Sequence, residues 1–314
     1  MKYSLSVVLA LALIGGSVAS SHAQQTRVRP FIELTDADLE RIDLHDGSVS
    51  DWIDVLGDAA AFTALEFIEG YIDHPYDPAD LDFRIWLAWH DGTNRIYVAM
   101  ERADDFYHNE FERSRTDAAS RMLAHDSVIS FFIDGDGGRD PRGLPPEGED
   151  FNLWMDRVSQ WYWVLGETFD EGPSMRLVNT DPDSRSEHGD WFLRPPYADG
   201  GGAHFGENPT ISVTEFYITP YDLFVVNDPQ ATQITDLFPG KVINFKTTIV
   251  DVEGPRVDDG FFIYPAESSF RFPGQGQDWA DGFLLDPGGV IPDNTAVEIN
   301  TWGRIKASFD KEIP

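Results

Sequence analysis

The stretch that decides the fold runs from Phe83 to Asp140. It opens with Phe83-Arg-Ile-Trp-Leu-Ala-Trp89, continues through a turn-forming segment to Arg95-Ile-Tyr-Val-Ala-Met-Glu-Arg102, and then reaches Asp126-Ser-Val-Ile-Ser-Phe-Phe-Ile133. The stretch closes with Asp134-Gly-Asp136-Gly-Gly-Arg-Asp140. β-Branched and aromatic residues dominate all three runs, and Asp, Asn and Gly separate them, which is the pattern of antiparallel strands joined by turns. The sequence therefore predicts three consecutive strands, two of which end in clustered carboxylates.

The same strand pattern recurs along the rest of the chain. Further predicted strands lie at Gln160–Val164, Ile211–Ile218, Lys241–Val250, Phe261–Tyr264 and Trp302–Phe309. Short strands separated by turn signals, with few helical periods, are typical of an all-β antiparallel sandwich. The segment from Glu167 to Gly206 is rich in Asp, Ser, Gly and Pro, and it predicts long loops on the rim. No repeat or low-complexity linker interrupts residues 43–314, so we expect a single elaborated β-sandwich domain with one or two short helices.

The first 23 residues have the features of a secretory signal peptide. Lys2 supplies a positive charge, residues 5–14 are apolar, and Ser21-His-Ala23 is a small-x-small cleavage site. The ten-residue apolar run is too short for a stable transmembrane helix, although an N-terminal anchor is the alternative. We therefore expect an exported protein, periplasmic or extracellular, in which residues 24–42 form a leader segment outside the domain. Thr35 is positioned to cap a short helical turn within that leader.

Composition sets limits on how the chain is stabilised and what it binds. The 314 residues include no cysteine, so an apolar core and not a disulfide framework must stabilise the fold. The formal net charge is −32, with 55 acidic residues against 23 basic ones. Such a balance excludes a basic, sequence-independent nucleic-acid surface and argues against binding to anionic membranes. The acidic surface itself keeps the protein soluble.

The loop that begins at Asp134 is a candidate calcium site. Asp134, Asp136 and Asp140 occupy positions 1, 3 and 7 of a Gly-rich segment, in which side-chain and backbone oxygens can converge on a hard cation. The pattern is not that of an EF-hand, because position 5 is Gly and no Glu stands at position 12. Asp104, at the end of the second strand, is a further candidate ligand. The alternative is an Asp-Gly turn and a solvated strand end that bind no metal.

Nine tryptophans provide candidate sugar-stacking surfaces. An exposed aromatic ring can pack on the apolar face of a sugar, while neighbouring carboxylates and amides bind its hydroxyls. Trp161 and Trp163 share one face of a predicted strand, since they are two residues apart. Trp154 and Trp191 are the other two stacking candidates. The alternative for each ring is that it fills the sandwich core.

Established catalytic motifs are absent from the sequence. There is no Gly-x-Ser-x-Gly, no His-Glu-x-x-His and no phosphate-binding Gly-x-x-x-x-Gly-Lys. No catalytic residue is therefore assigned. With 55 acids, a pair of carboxylates at glycosidase spacing stays possible, so whether the chain is an enzyme is left open, with a non-enzymatic function favoured.

The order of these features resembles the family-9 carbohydrate-binding modules and the wider DOMON-like group of secreted bacterial β-sandwiches. The resemblance is carried by Asp46-Gly with Asp51-Trp52, by the strand ending in Asp104-Asp105, by Asp126 to Asp136, and by Thr301-Trp-Gly-Arg-Ile-Lys-Ala. It implies a β-sandwich, structural calcium and, in sugar-binding members, a slot between two aromatic rings. Asp104, Asp134 and Asp136 are the positions that align with the family's acids, whereas the slot tryptophans cannot be aligned.

Taken together, the sequence predicts an exported, acidic, non-catalytic protein that binds a glycan or polysaccharide through a calcium-ordered rim. Three other functions remain open: a polysaccharide hydrolase using paired carboxylates, a haem-binding DOMON-type redox domain, and a surface interaction protein without a small ligand. Methionines that leave haem ligation open are Met100, Met122, Met155 and Met175.

Overall fold

The computed structural model describes residues 28–67, 76–108, 128–138, 147–148, 151–169, 172–177, 191–254, 257–264 and 280–285. The predicted signal peptide, Asp140, Met122 and the predicted last strand at Trp302–Phe309 lie outside these residues.

Strands dominate the described chain. They are β1 (Val28–Glu33), β2 (Phe62–Thr63), β3 (Leu81–His90), β4 (Arg95–Asp104), β5 (Val128–Asp134), β6 (Gln160–Phe169), β7 (Gly172–Leu177), β8 (Ala198–Phe205), β9 (Thr210–Ile218), β10 (Tyr221–Leu223), β11 (Gln233–Ile234), β12 (Val242–Gly254), β13 (Val257–Tyr264) and β14 (Ala280–Leu285). The helices in this part of the chain are short: α1 (Asp36–Leu39), α2 (Ser50–Leu56) and α3 (Phe151–Val158). The predicted all-β class is confirmed, and β3, β4 and β5 match the three strands predicted first.

Twelve strands form one sheet that curls back on itself. Its order is β7-β6-β5-β12-β14-β1-β3-β4-β9-β8, with β13 beside β12 and β2 beside β3. β5 and β9 are six places apart in that order, which corresponds to about 29 Å along the sheet. Nevertheless, the rings of Phe131 on β5 and Phe216 on β9 are only 6.2 Å apart. The two halves of the sheet therefore face each other as the layers of a sandwich.

The main core fills the space between these layers. Phe31, Phe83, Phe131, Phe216 and Phe245 are all buried within it, and the edge-on contact of Phe31 with Phe245 at 5.1 Å connects β1 to β12 across β14. Alternation along each strand sends every second side chain into this core. The large aromatic content of the sequence therefore supplies the burial that a chain without cysteine requires.

The predicted leader segment is wrong in part. Residues 28–33 form β1, which lies in the middle of the sheet with β14 and β3 as parallel neighbours. The strand was missed because Val28-Arg-Pro-Phe-Ile-Glu33 is short and shows no alternation, while its pairing partners are distant in the sequence. The capped turn that follows is confirmed, since the Thr35 hydroxyl accepts a hydrogen bond from the Asp38 backbone N–H at 3.2 Å.

A second core lies on the outer face of β3, β4 and β9. We call residues 34–57, which include α1 and α2, the cover segment. Its Trp52 is fully buried against Trp86, Ala99 and Tyr217 of the sheet. The two tryptophans of β3 thus serve different cores, because Trp89 points into the sandwich and Trp86 points under the cover segment.

β8 corrects the expectation of long loops between Glu167 and Gly206. The strand carries Gly200-Gly-Gly202, a composition that predicts a loop. A Cβ at Gly200 would lie 2.6 Å from the Cβ of Phe216, so glycine is what allows β8 to approach β9 closely. β7 is a second strand in the predicted loop region.

Within the part of the chain that the structure describes, no helix has the length and apolar character needed to cross a bilayer.

Candidate functional site

A buried ion pair lies at the end of the sandwich where β4 finishes, which we call the Asp104 end. The guanidinium of Arg102 donates to the carboxylate of Asp104 and, at 2.6 Å, to the backbone carbonyl of Val250 on β12. Its Nη2 also lies 3.7 Å from a carboxylate oxygen of Asp251. Because alternation turns Arg102 inward, this cation joins β4 to β12 across the two layers.

The ion pair also fixes the turn that follows β4. The second carboxylate oxygen of Asp104 accepts a hydrogen bond of 2.9 Å from the backbone N–H of Phe106. In addition, the N–H of Asp105 donates to the carbonyl of Asp80 at 3.0 Å. Both bonds hold the backbone where Phe106 and Tyr107 leave the sheet. A buried charge pair therefore positions two rings at the surface.

One of these two rings contacts a side chain of β8. The ring of Tyr107 packs against that of His204, with centroids 5.3 Å apart and planes inclined by 30°. Phe205 follows His204, and the exposed fractions of Phe106 and Phe205 are 45% and 54%. We call Phe106, Tyr107, His204 and Phe205 the aromatic rim. The rim thus combines one tilted ring pair with two exposed phenylalanines, and exposed apolar side chains grouped in this way can mark a binding site.

Polar groups surround and underlie the aromatic rim. Asp105 and Glu207 are exposed beside it, so their carboxylates are available to hydroxyl groups of a ligand. On the neighbouring strand β9, the hydroxyls of Ser212 and Thr214 are buried and have no hydrogen-bond partner among the described residues. Cα pairing places His204 opposite Ser212 and Ser212 opposite Arg102, so one row of polar side chains crosses β8, β9 and β4.

Burial shapes the charge at this end of the molecule. It raises the pKa of Asp104, while the adjacent guanidinium of Arg102 opposes that rise. The buried cation of Arg102 faces the carboxylates of both Asp104 and Asp251, so its charge is compensated within the described residues and does not favour an anionic ligand.

The structure does not bring the predicted metal ligands together. Asp134 pairs with Asn244 near the start of β12, whereas Asp104 approaches β12 through Arg102 near Asp251. Asn244 and Asp251 are seven residues apart on that strand, about 23 Å at ~3.3 Å per residue. Asp104 is the last residue of β4 and Asp134 is the last residue of β5. Because these two strands run in opposite directions, the two residues lie at opposite ends of the sandwich.

Of the remaining acids in the predicted calcium loop, Asp136 is the one that the structure describes. Asp136 is exposed, and its carboxylate accepts a 2.6 Å hydrogen bond from the Gly138 N–H, as in an Asp-Gly turn. Asp140 lies outside the described residues. Across the described ranges, no group of three or more His, Asp or Glu side chains is arranged to hold a metal ion. Calcium binding by the Asp134–Asp140 loop therefore stays a prediction.

The four predicted stacking tryptophans are mostly enclosed. Trp161 and Trp163 share the outer face of β6, as expected, but only 7% and 4% of their surfaces are exposed. Trp161 stacks on Phe132 at 4.3 Å and donates to the Ser130 hydroxyl at 2.7 Å. With so little of their surface exposed, neither ring offers a free face to a sugar in this arrangement.

Trp191 and Trp154 are half-buried. The indole of Trp191 donates to the Val226 carbonyl at 2.9 Å, and Tyr197, Tyr221 and Phe224 pack around its ring. Trp154 lies on α3. Both keep some exposed surface, so a stacking role for them stays a prediction.

Two of the four methionines considered for haem ligation are buried side chains. Met100 is enclosed in the main core and Met155 is 2% exposed. Met175 lies in β7, and Met122 lies outside the described residues. No comparison tests haem binding, which stays a hypothesis.

Sequence reasoning recognised the acids at the end of β4 and missed the aromatic rim. The available signal was Phe106-Tyr107 directly after a strand that ends in Asp104-Asp105. Its partner pair, His204-Phe205, lies about a hundred residues later in a stretch that predicts loops. Only the pairing of β8 with β9 and of β9 with β4 brings the two pairs together.

Comparison with known proteins places the fold. No protein-family profile matches the chain, and no curated protein matches it. Among solved structures, it is similar to a family-9 carbohydrate-binding module from Caldicellulosiruptor kristjanssonii in complex with cellotriose. That match has a TM-score of 0.50 and 12% identity, and it covers 87% of this chain and 100% of the module. A structure of a family-9 module from the same organism with glucose matches at a TM-score of 0.48 and 11% identity, covering 85% of this chain and 100% of that one. The chain therefore shares the β-sandwich fold of the cellotriose-bound module.

Proposed function

We propose that this protein is an exported, non-catalytic carbohydrate-binding protein whose ligand stacks on the aromatic rim. The observations that carry the proposal are the ring contact of Tyr107 with His204 at 5.3 Å and the exposure of their chain neighbours Phe106 and Phe205. Sugar rings present an apolar C–H face that packs on such surfaces, and aromatic rings contribute large contact areas with little loss of side-chain entropy.

The arrangement around the rim suits a neutral glycan. The exposed carboxylates of Asp105 and Glu207 can accept hydrogen bonds from hydroxyl groups. The buried Arg102–Asp104 pair holds the rim in place through the Phe106 N–H, so little ordering is needed on binding. The solved modules that share this fold were determined with cellotriose and glucose, which supports a neutral glucan as the first ligand to test.

Calcium remains part of the proposal, at the loop that begins at Asp134. That loop lies at the other end of the sandwich from the aromatic rim. Its calcium would therefore stabilise the fold and would not contact a glycan at the rim.

The test compares glycan binding of three single variants. Tyr107→Ala and Phe205→Ala remove rings of the rim, and Phe238→Ala removes a phenylalanine that is 49% exposed near the start of β12. A glycan array first identifies oligosaccharides that the wild type binds, and calorimetry then measures the affinity of each variant for them. Because stacking of one ring contributes about 1–1.5 kcal/mol, each rim variant should bind roughly tenfold more weakly than the wild type. Phe238→Ala should bind like the wild type.

Three results would contradict the proposal. One is an array without binding, and another is equal affinity for wild type and both rim variants. The third is release of reducing sugar that a single Asp or Glu substitution abolishes, which would favour the hydrolase.

A further inference from the structure

The cover segment is seated on the sheet by unusually close backbone contacts. A Cβ at Gly201 on β8 would lie 2.8 Å from the carbonyl oxygen of Leu44, and one at Gly47 would lie 2.5 Å from the Cβ of Ala203. His45 adds a contact of 3.4 Å to the carboxylate of Asp199. The segment before α2 therefore lies directly on β8, with no space for an intervening side chain.

Beneath this segment is a buried carboxyl group. Glu215, on the outer face of β9, is 0% exposed, and one of its oxygens accepts a 2.8 Å hydrogen bond from the indole N–H of Trp52. Its other oxygen is buried and has no hydrogen-bond partner among the described residues. A carboxylate in such a position would be strongly destabilised, whereas a neutral carboxyl group is tolerated.

The charges around Glu215 reinforce that preference. Burial raises its pKa to about 9, the Trp52 hydrogen bond opposes the rise, and the carboxylates of Asp51, Asp46 and Asp43 add to it. Other charged and titratable groups lie on the surrounding elements. His45 is on the cover segment and Asp199 is on β8. Arg84 is on β3, Glu101 and Arg95 are on β4, and Tyr217 is on β9. Arg84 is already bonded to Glu101 and Asp58, and Arg95 lies over the Tyr217 ring.

We propose that Glu215 and Trp52 form a proton-dependent latch, in which the neutral carboxyl group keeps the cover segment docked and its deprotonation releases α2 from the sheet. The carboxylates of Asp43, Asp46 and Asp51 belong to the cover segment, so loss of the Glu215 proton adds repulsion between this segment and β9. The main sandwich core lies on the other face of the sheet and does not depend on the latch. Release would therefore be local, exposing Trp52 and Trp86.

The direction of the pH effect follows from linkage. The docked state binds one proton more than the undocked state between the ordinary pKa of a Glu carboxyl, about 4.5, and the docked value of about 9. Docking is therefore strongest below the lower value and is lost as the pH rises through the higher one. Within that window, each pH unit should shift the equilibrium tenfold toward release.

Amide hydrogen exchange of the wild-type chain tests the latch. The N–H of Ile53 donates to the Val49 carbonyl, and the N–H of Gly57 donates to the Ile53 carbonyl. These two bonds close the helical turns of α2, so exchange of these amides reports on its opening. After correction for intrinsic exchange, their protection factors should fall about tenfold per pH unit between pH 6 and pH 8.5. Glu215→Gln retains an acceptor for Trp52 without a titrating group, so its protection should be independent of pH. Glu40→Gln, which removes an exposed carboxylate from the same segment, should keep the wild-type slope.

Carbon-detected titration of the Glu215 side chain in the wild type gives a second measurement that needs no variant. A midpoint above pH 7 supports the latch. A midpoint below pH 6, protection of α2 that does not change with pH in the wild type, or a slope in Glu215→Gln equal to that of the wild type would overturn it.

Discussion

Replacing Arg102 by methionine should be among the most destabilising single changes in this protein. The guanidinium is 0% exposed and satisfies the Asp104 carboxylate and the Val250 carbonyl, with the Asp251 carboxylate 3.7 Å away. Methionine fills a similar volume, but it removes the group that donates to Asp104 and to the Val250 carbonyl, together with the positive charge that faces Asp251. Removing one member of a buried ion pair costs about 3–5 kcal/mol, so the ratio of folded to unfolded protein should fall at least a hundredfold.

Urea denaturation at pH 7, followed by circular dichroism, measures this loss. Arg41→Met is the matched control, because Arg41 forms an exposed pair with Asp38 at 3.8 Å and such pairs contribute less than about 1 kcal/mol. In Arg102→Met the pKa of Asp104, already raised by burial, should rise further. The variant should therefore regain stability as the pH falls from 7 to 5, when its carboxylates take up protons.

A triple variant tests whether the loss of stability comes from the buried carboxylates that Arg102 no longer compensates. Adding Asp104→Asn and Asp251→Asn to Arg102→Met removes both buried charges, and it should recover part of the stability. A loss below about 1 kcal/mol in Arg102→Met, or no recovery at pH 5, would refute the view that this pair joins the two layers.

Four further outcomes are expected. Burial raises the pKa of Asp82 to about 6 in spite of the hydrogen bond from the Tyr76 hydroxyl. The free energy of unfolding should therefore fall by roughly 2–3 kcal/mol as the pH rises from 4 to 6. Thermal melts of Asp82→Asn should lack this pH dependence. Trp161→Ala should lower the free energy of unfolding by about 3–5 kcal/mol in urea denaturation and leave glycan affinity unchanged, because the ring is packed on Phe132. A large loss of affinity in a folded variant would instead indicate a glycan site on β6. Gly200→Ala should lower stability by about 1–3 kcal/mol, since its Cβ would meet the backbone and Cβ of Phe216, and an unchanged melting temperature would contradict the close packing of β8 on β9. If the Asp134–Asp140 loop binds calcium, EDTA should lower the melting temperature of the wild type but not of Asp136→Asn, and equal effects on both would contradict a site at that loop.

The sequence by itself determined the all-β class and the inner strands. Runs such as Phe83–Trp89 and Arg95–Arg102 carry β-branched and aromatic residues on both faces, so they predict strands without reference to the rest of the chain. The absence of cysteine also excludes a disulfide scaffold, and the excess of acidic residues excludes a basic nucleic-acid-binding surface. These properties depend on local composition, which a sequence displays directly.

Tertiary structure alone decided which side chains meet. β1 and β8 become strands because distant partners complete their hydrogen bonds, and neither Val28–Glu33 nor the glycines of Ala198–Phe205 favour a strand locally. Strand direction separates Asp104 from Asp134, and strand order brings Tyr107 to His204 across about a hundred residues. Burial of Trp161 and of Glu215 likewise depends on what packs over the outer faces of the sheet. Pairing and packing are long-range properties, and the residues that they join carry no mark of each other in the sequence.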